Sequence, residues 1–185
     1  MIFIPLAASV LRQLRAAGPD GRTGSWLGFA ATPEMMSAHG LRPADLEDAE
    51  YTALTYAGVQ ALLEPDTDQL RLVVAAEPPA SYSSTASDSS TGSDSSTVSD
   101  RGSGADAETG AQQVSRLRWQ DIQALFVDEP AAADAVRAAR AAASGRSLTQ
   151  ALELPVVDDL INTHDLLWHL PQELDQIMES LAPGR

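Results

Sequence analysis

The chain predicts a single three-layer α/β domain, with a mostly parallel sheet of about five to six strands, one antiparallel strand and a disordered Ser-rich insertion at 81–113. Three observations lead there. Five short apolar runs, Ile2–Ile4, Trp26–Ala31, Leu70–Ala76, Ala124–Val127 and Leu166–Trp168, alternate with helical patterns. Each run is nearly continuous rather than alternating, as expected of strands covered on both faces, and that is the condition of parallel sheets flanked by helices. Finally, 13 of the 20 residues from Ser81 to Asp100 are Ser or Thr, too polar to offset the entropy of ordering them.

The elements follow in order. Ile2–Ile4 is a buried strand, and after it Ala7, Val10, Leu11, Leu14 and Ala17 share one helical face that ends at Gly18-Pro19. Beyond the second run, Thr32 before Pro33 and Glu34 is an N-cap followed by Pro at the first helical position, and Gly40 closes that short helix beside His39. A longer helix from about Asp45 buries Leu46, Ala49, Ala53, Leu54, Ala57 and Ala61, and stops at Glu64-Pro65. Arg116, Leu117, Arg118 and Trp119 alternate, which reads as a half-exposed strand with Leu117 and Trp119 inward, paired antiparallel with Leu70–Ala76. The Ser-rich stretch, with its SDSSTx repeat of period six, is then the tip of a long hairpin loop within one domain spanning 1–185, because loop-closure entropy grows only logarithmically. "ALFVDEP" runs from a strand into a helix capped by Asp128 or Glu129, with Gly145 after it. A short helix at Leu148–Leu154 ends at Pro155, and a last helix begins at Pro171 and presents Leu174, Ile177, Met178 and Leu181.

Composition narrows the function. There is no Cys, which excludes disulfides, thiolate nucleophiles and Cys-ligated metals. Net charge is −14, and outside 81–113 there are 21 acids against 11 arginines, so phosphate backbones and anionic lipids are repelled; neither nucleic acid nor membrane is an expected partner. The N-terminus lacks a basic leader, is broken by Pro5 and carries Arg12 and Arg15, so it reads as strand and helix rather than signal peptide, and the expected location is cytoplasmic.

Phosphate-cradling, nucleophile-elbow and HExxH zinc motifs are all missing. In "HDLLWHLPQEL", His164 and His169 lie five apart, pointing to opposite faces of a strand, which makes them poor co-ligands. His169 at the strand end has Glu173 as a partner in the following turn; the simpler account is a histidine covering a strand end. In a parallel sheet Thr32, Glu77, Asp128, Glu129, His169 and Glu173 would gather at the carboxyl edge, where open α/β folds bind ligands and where carboxylates with a His suit Mg²⁺ or Mn²⁺. Helix capping explains Thr32, Asp128 and Glu129 without any ligand. Trp119 and Trp168 read as core.

"IFIPL", "LGFAATPEM", "DLEDAEYTALTYA", "RLVVAAEPP", "ALFVDEP" and "DLLWHLPQEL", in this order, resemble a family of actinobacterial proteins known as a domain of unknown function. The resemblance covers nearly the whole chain apart from 81–113. It implies a one-domain cytoplasmic protein and brings no activity, cofactor or catalytic residue; where the family pattern has a Thr near the start of the first helix, this chain has Ala7.

Two functions are therefore weighed. The first is a non-catalytic cytoplasmic binding or adaptor protein with a protein partner, since no complete catalytic set is visible. The alternative is a divalent-metal-dependent hydrolase or nucleotide-binding enzyme using Asp128, Glu129, His169 and Glu173, which requires those groups to converge in one pocket. The cofactor, the oligomeric state and phosphorylation of the Ser-rich segment stay open.

Overall fold

The computed structural model describes residues 1–64, 70–77 and 105–181. Its strands are β1 (Ile2–Pro5), β2 (Arg22–Ala30), β3 (Leu72–Ala76), β4 (Ala111–Leu117), β5 (Ile122–Asp128) and β6 (Leu166–His169). Its α-helices are α1 (Ala8–Ala16), α2 (Pro33–Ala38), α3 (Leu46–Leu63), α4 (Ala105–Thr109), α5 (Ala133–Ala143), α6 (Leu148–Leu152), α7 (Pro155–Thr163) and α8 (Leu174–Leu181). Among the described residues no helix is long and apolar enough to cross a membrane.

The strands form one sheet in the order β4-β2-β1-β3-β5-β6, and every neighbouring pair is antiparallel. The mostly parallel sheet expected from the sequence is therefore corrected. What the continuous apolar runs do report is coverage: every residue of β1 and of β3 is buried. Helices lie on both faces of an antiparallel sheet here, and coverage of both faces does not fix strand direction.

On one face Ile2, Ile4, Leu72, Val74, Leu125 and Val127 pack with Leu11 and Leu14 of α1 and with Leu174 and Ile177 of α8. Arg15 and Asp175 tie those two helices together through a two-pronged ion pair at 2.8 and 3.0 Å. The opposite face carries Phe3, Phe29, Val73, Ala75 and Ala124, covered by Met35 of α2 and by Ala49, Ala53 and Ala57 of α3. The four-residue spacing of those alanines keeps one small-residue stripe against the sheet. The other side of α3, through Val59 and Leu62, meets α5, α6 and α7 in a helical cluster built on Val136, Ala139, Ala151, Val157 and Leu160.

The sheet is curled. In a flat sheet β4 and β5 would lie four strand spacings apart, about 19 Å. Yet only the short 3-10 turn Trp119–Asp121 joins Leu117 to Ile122, and both side chains enter the same core. The bend is made in β2, which leaves β1 after the Phe3–Phe29 pair and bulges between Thr23 and Trp26, so that β2 and β4 fold over the α1 face as a ribbon. Gly28 allows it: a β-carbon there would press on the Ile2 and Ile4 side chains at 2.8 and 3.2 Å.

This corrects the hairpin expected between Arg116–Trp119 and Leu70–Ala76. β3 has both edges filled, by β1 and β5, so β4 pairs with β2. The alternation expected of Leu117 and Trp119 is absent: the strand starts earlier, at Ala111, its buried residues Val114 and Leu117 are three apart, and Trp119 lies beyond it in the 3-10 turn. Of the insertion predicted at 81–113, residues 81–104 lie outside the described residues, while 105–113 form α4 and the start of β4. Pro155, read as the end of a helix, instead opens α7, where its fixed φ suits the first turn.

Candidate functional site

The register that sets Leu72 opposite Val127 continues one step to Arg71 and Asp128. Alternation places both on the α3 face, with Val73 and Phe126. The Asp128 backbone N–H donates to the Arg71 carbonyl at 3.3 Å, and the Arg71 N–H donates to Asp128 Oδ2 at 2.7 Å. Arg71 Nε donates to both carboxylate oxygens at 3.0 Å, and Nη2 donates to Oδ1 at 2.6 Å and to the His164 carbonyl at 2.9 Å. The side chains are 3 % and 0 % exposed, so this is a buried ion pair with its carboxylate fully satisfied. Among the described residues Nη1 has no partner. It lies beside Gly58 of α3, where a β-carbon would stand 3.8 Å from Nη1 and 3.2 Å from Leu166 Cδ1.

The space that Gly58 leaves is part of a cleft of about 410 Å³ between α3, β5 and the α7–β6 corner. Leu54, Phe126, Ile161 and Leu166 give it apolar walls; Arg71 is at its base; Tyr51, Thr55, His164 and Asp165 supply the other polar groups. That size and mixture are typical of a small-ligand or side-chain pocket. His164 Nδ1 is 3.0 Å from Glu129 Oε1, so a neutral imidazole donating there keeps Nε2 as an acceptor. Thr55 Oγ donates to the Tyr51 carbonyl one turn back and is already engaged. Chemically the cleft offers apolar surface, one guanidinium edge with N–H groups to give, and an acidic surround, since Asp128 cancels Arg71 and leaves Glu129 and Asp165 in excess.

Strand alternation decides which of the sequence-predicted residues meet. Asp128 and Glu129 stand at one end of the sheet, beside Leu72 and Leu166. Thr32 and Glu77 follow the opposite ends of β2 and β3, where Ala30 and Ala76 flank Ile2. His169 pairs with Leu125, three residues along from the Asp128–Leu166 pair, or about 10 Å away. Thr32 caps α2, accepting from Met35 N–H at 3.1 Å, and the Glu77 N–H donates to the Asp121 carbonyl. Glu173 accepts from Leu170 N–H at 2.7 Å and sits 3.9 Å from His169 Nδ1, so that suggested pair is adjacent. Asp128 caps no helix; Arg71 holds it. Among the described residues no group of three or more His, Asp or Glu gathers as a metal site.

Arg71, Gly58 and His164 escaped the sequence reading as site residues. A signal existed: one Arg inside the apolar run "LRLVVAA" and one Asp ending "ALFVD" are opposite charges at the ends of two strands that bury both faces. Trp168, expected in the core, is 57 % exposed on β6.

Fold and site together define a curled antiparallel sheet between helical layers, with a one-sided cleft over a buried ion pair. The chain belongs to the family of unknown function DUF6912, whose model matches residues 1–178. No curated protein and no solved structure matches it.

Proposed function

We propose that this chain is a non-catalytic, cytoplasmic binding or adaptor protein whose cleft takes an apolar side chain of a partner polypeptide, with a carbonyl of that partner on Arg71 Nη1. The observation that carries the reading is the state of the polar groups. Asp128 is consumed by Arg71, Glu129 faces His164 and Thr55 serves its own helix, so the cleft keeps a hydrogen-bond donor between apolar walls, and among its described lining residues no Ser, Thr or Cys nucleophile is left unengaged. The acidic surround favours neutral or cationic segments over anionic ones, and the excess of acids over arginines argues against nucleic acid.

Three probes test this: N-acetyl-leucinamide, leucinamide and N-acetyl-leucine, followed by amide chemical shifts of Gly58 and Leu166. The neutral and cationic probes should bind with dissociation constants on the order of 1 mM, as ligands of this size allow, and the carboxylate more weakly. Gly58→Met, which fills the cleft from α3, and Tyr51→Ala, which strips an exposed wall, should each weaken binding. Shifts that survive both variants, or no shift with any probe, would defeat the reading.

A further inference from the structure

The two edges of the sheet differ. β4 shows Gln113, Ser115 and Arg116 to solvent, the polar edge that keeps sheets from joining. β6 shows Leu167 and Trp168, followed by exposed Leu170. An apolar edge strand is a template for another strand, and the hydrogen-bonding pattern says which groups it offers.

Asp128 turns its N–H toward β3, so Val127 must turn its own toward β6, where it pairs with Leu167. Leu167 and His169 therefore spend their backbone groups on β5. Leu166 and Trp168 point theirs outward.

From this register we infer that β6 pairs with β6 of a second copy of the chain, antiparallel and about a two-fold axis through Leu167. Only a register centred on a residue keeps facing side chains on one side of the sheet, because alternation has period two. Centring on Leu167 sets Leu166 opposite Trp168 of the partner subunit, in both directions. All four outward N–H and C=O groups of Leu166 and Trp168 are then paired. Centring on Trp168 would instead ask for the Leu170 N–H, which Glu173 already holds at 2.7 Å.

The side chains agree with that choice. Leu167 meets its own copy at the axis. One step out, Asp165, the residue just before β6, comes opposite the partner's His169, an acid beside an imidazole, twice. On the other face Trp168 of the partner subunit comes beside Leu166, which lines the cleft, so the second copy completes the cleft's outer wall. The pairing is isologous and closes at two. It rests on the edge and not on what the cleft binds.

Self-pairing makes a test that no other partner passes. In sedimentation velocity the full chain should rise from its monomer mass of 19.5 kDa toward twice that value within a concentration range of roughly 1 µM to 1 mM. Leu167→Lys and Leu167→Glu each put like charges across the axis, and each alone should weaken the dimer by about tenfold or more. Mixed in equal amounts, the two should form a heterodimer with an affinity within about threefold of the unmodified chain, because each lysine then meets a glutamate. Leu167 is exposed, so far-UV spectra of both variants should match the parent. A parent chain that stays at 19.5 kDa throughout, single variants that dimerise as well as it does, or a mixture without rescue would each overturn the inference.

Discussion

Replacing Asp128 with alanine removes the counter-charge from a guanidinium that is only 3 % exposed. Four hydrogen bonds vanish with the carboxylate, three from the Arg71 side chain and one from its backbone N–H. Breaking a buried pair from one side costs about 3–5 kcal/mol, because the remaining ion stays out of water with no partner. Two features place this protein near the lower limit. Nη2 keeps the His164 carbonyl, and Nη1 already borders the cleft, so the guanidinium has a short route to solvent. We therefore expect a loss of about 3 kcal/mol, or a fall in melting midpoint of roughly 6–12 °C for a domain of this size. Arg71→Met alone should cost a similar amount by stranding the carboxylate. Arg71→Met with Asp128→Leu should recover to within about 1 kcal/mol of the parent, since two well-packed apolar side chains carry no desolvation penalty. Urea unfolding followed by tryptophan fluorescence measures all three variants, and the double-mutant cycle isolates the pair. A loss below about 1 kcal/mol for Asp128→Ala, or a double variant as unstable as the sum of the singles, would refute the assignment of these residues as a buried, mutually dependent pair.

Three further outcomes are expected. Gly110 has φ +69° and a β-carbon there would overlap the Ala30 carbonyl, whose own N–H donates to Gly110; Gly110→Ala should cost about 2–3 kcal/mol in the same urea assay, and a neutral effect would contradict the close approach of α4 and β2. Burial raises the Tyr56 phenol above its ordinary pKa, with Glu108 adding to it, so the folded state favours the protonated form. Its contribution is complete below the unfolded pKa and is lost as pH rises through the folded one; phenolate absorbance should show a late component that Tyr56→Phe removes. Finally, Glu77 and α4 lie at the same end of the sheet with β1 and β2 between their strands, a crossing of about 14 Å that six residues span easily. Replacing residues 81–104 with a six-residue Gly-Ser linker should leave the melting midpoint within about 3 °C, and a larger fall would assign that segment a part in the core.

The sequence carried burial better than direction. The runs around Ile2–Ile4 and Leu70–Ala76 announce strands buried on both faces, and the alanine stripe of α3, the Thr32 cap and the Gly40 stop all correspond to features of the fold. Strand direction depends on how each connection returns, and helical crossovers such as α1 serve antiparallel neighbours here. The proposed carboxyl-edge cluster depended on that direction, so it divided into three groups when alternate strands reversed. Arg71 was legible in principle, since a charge inside a buried run needs a partner and Asp128 ends the facing run. His164 was not, because its position depends on α7, and Pro155 can either end one helix or start the next.

β1 lies at the centre of the sheet although it is made first. Its partners on the two sides end at Ala30 and Ala76, so the ribosome must add more than forty residues after the first neighbour before the second exists. Through that interval one edge of the central strand is open, and α1, already synthesised, covers only a face of it. Translational pauses placed between those two points would prolong the exposed state, and pauses after Ala76 would find the middle of the sheet closed.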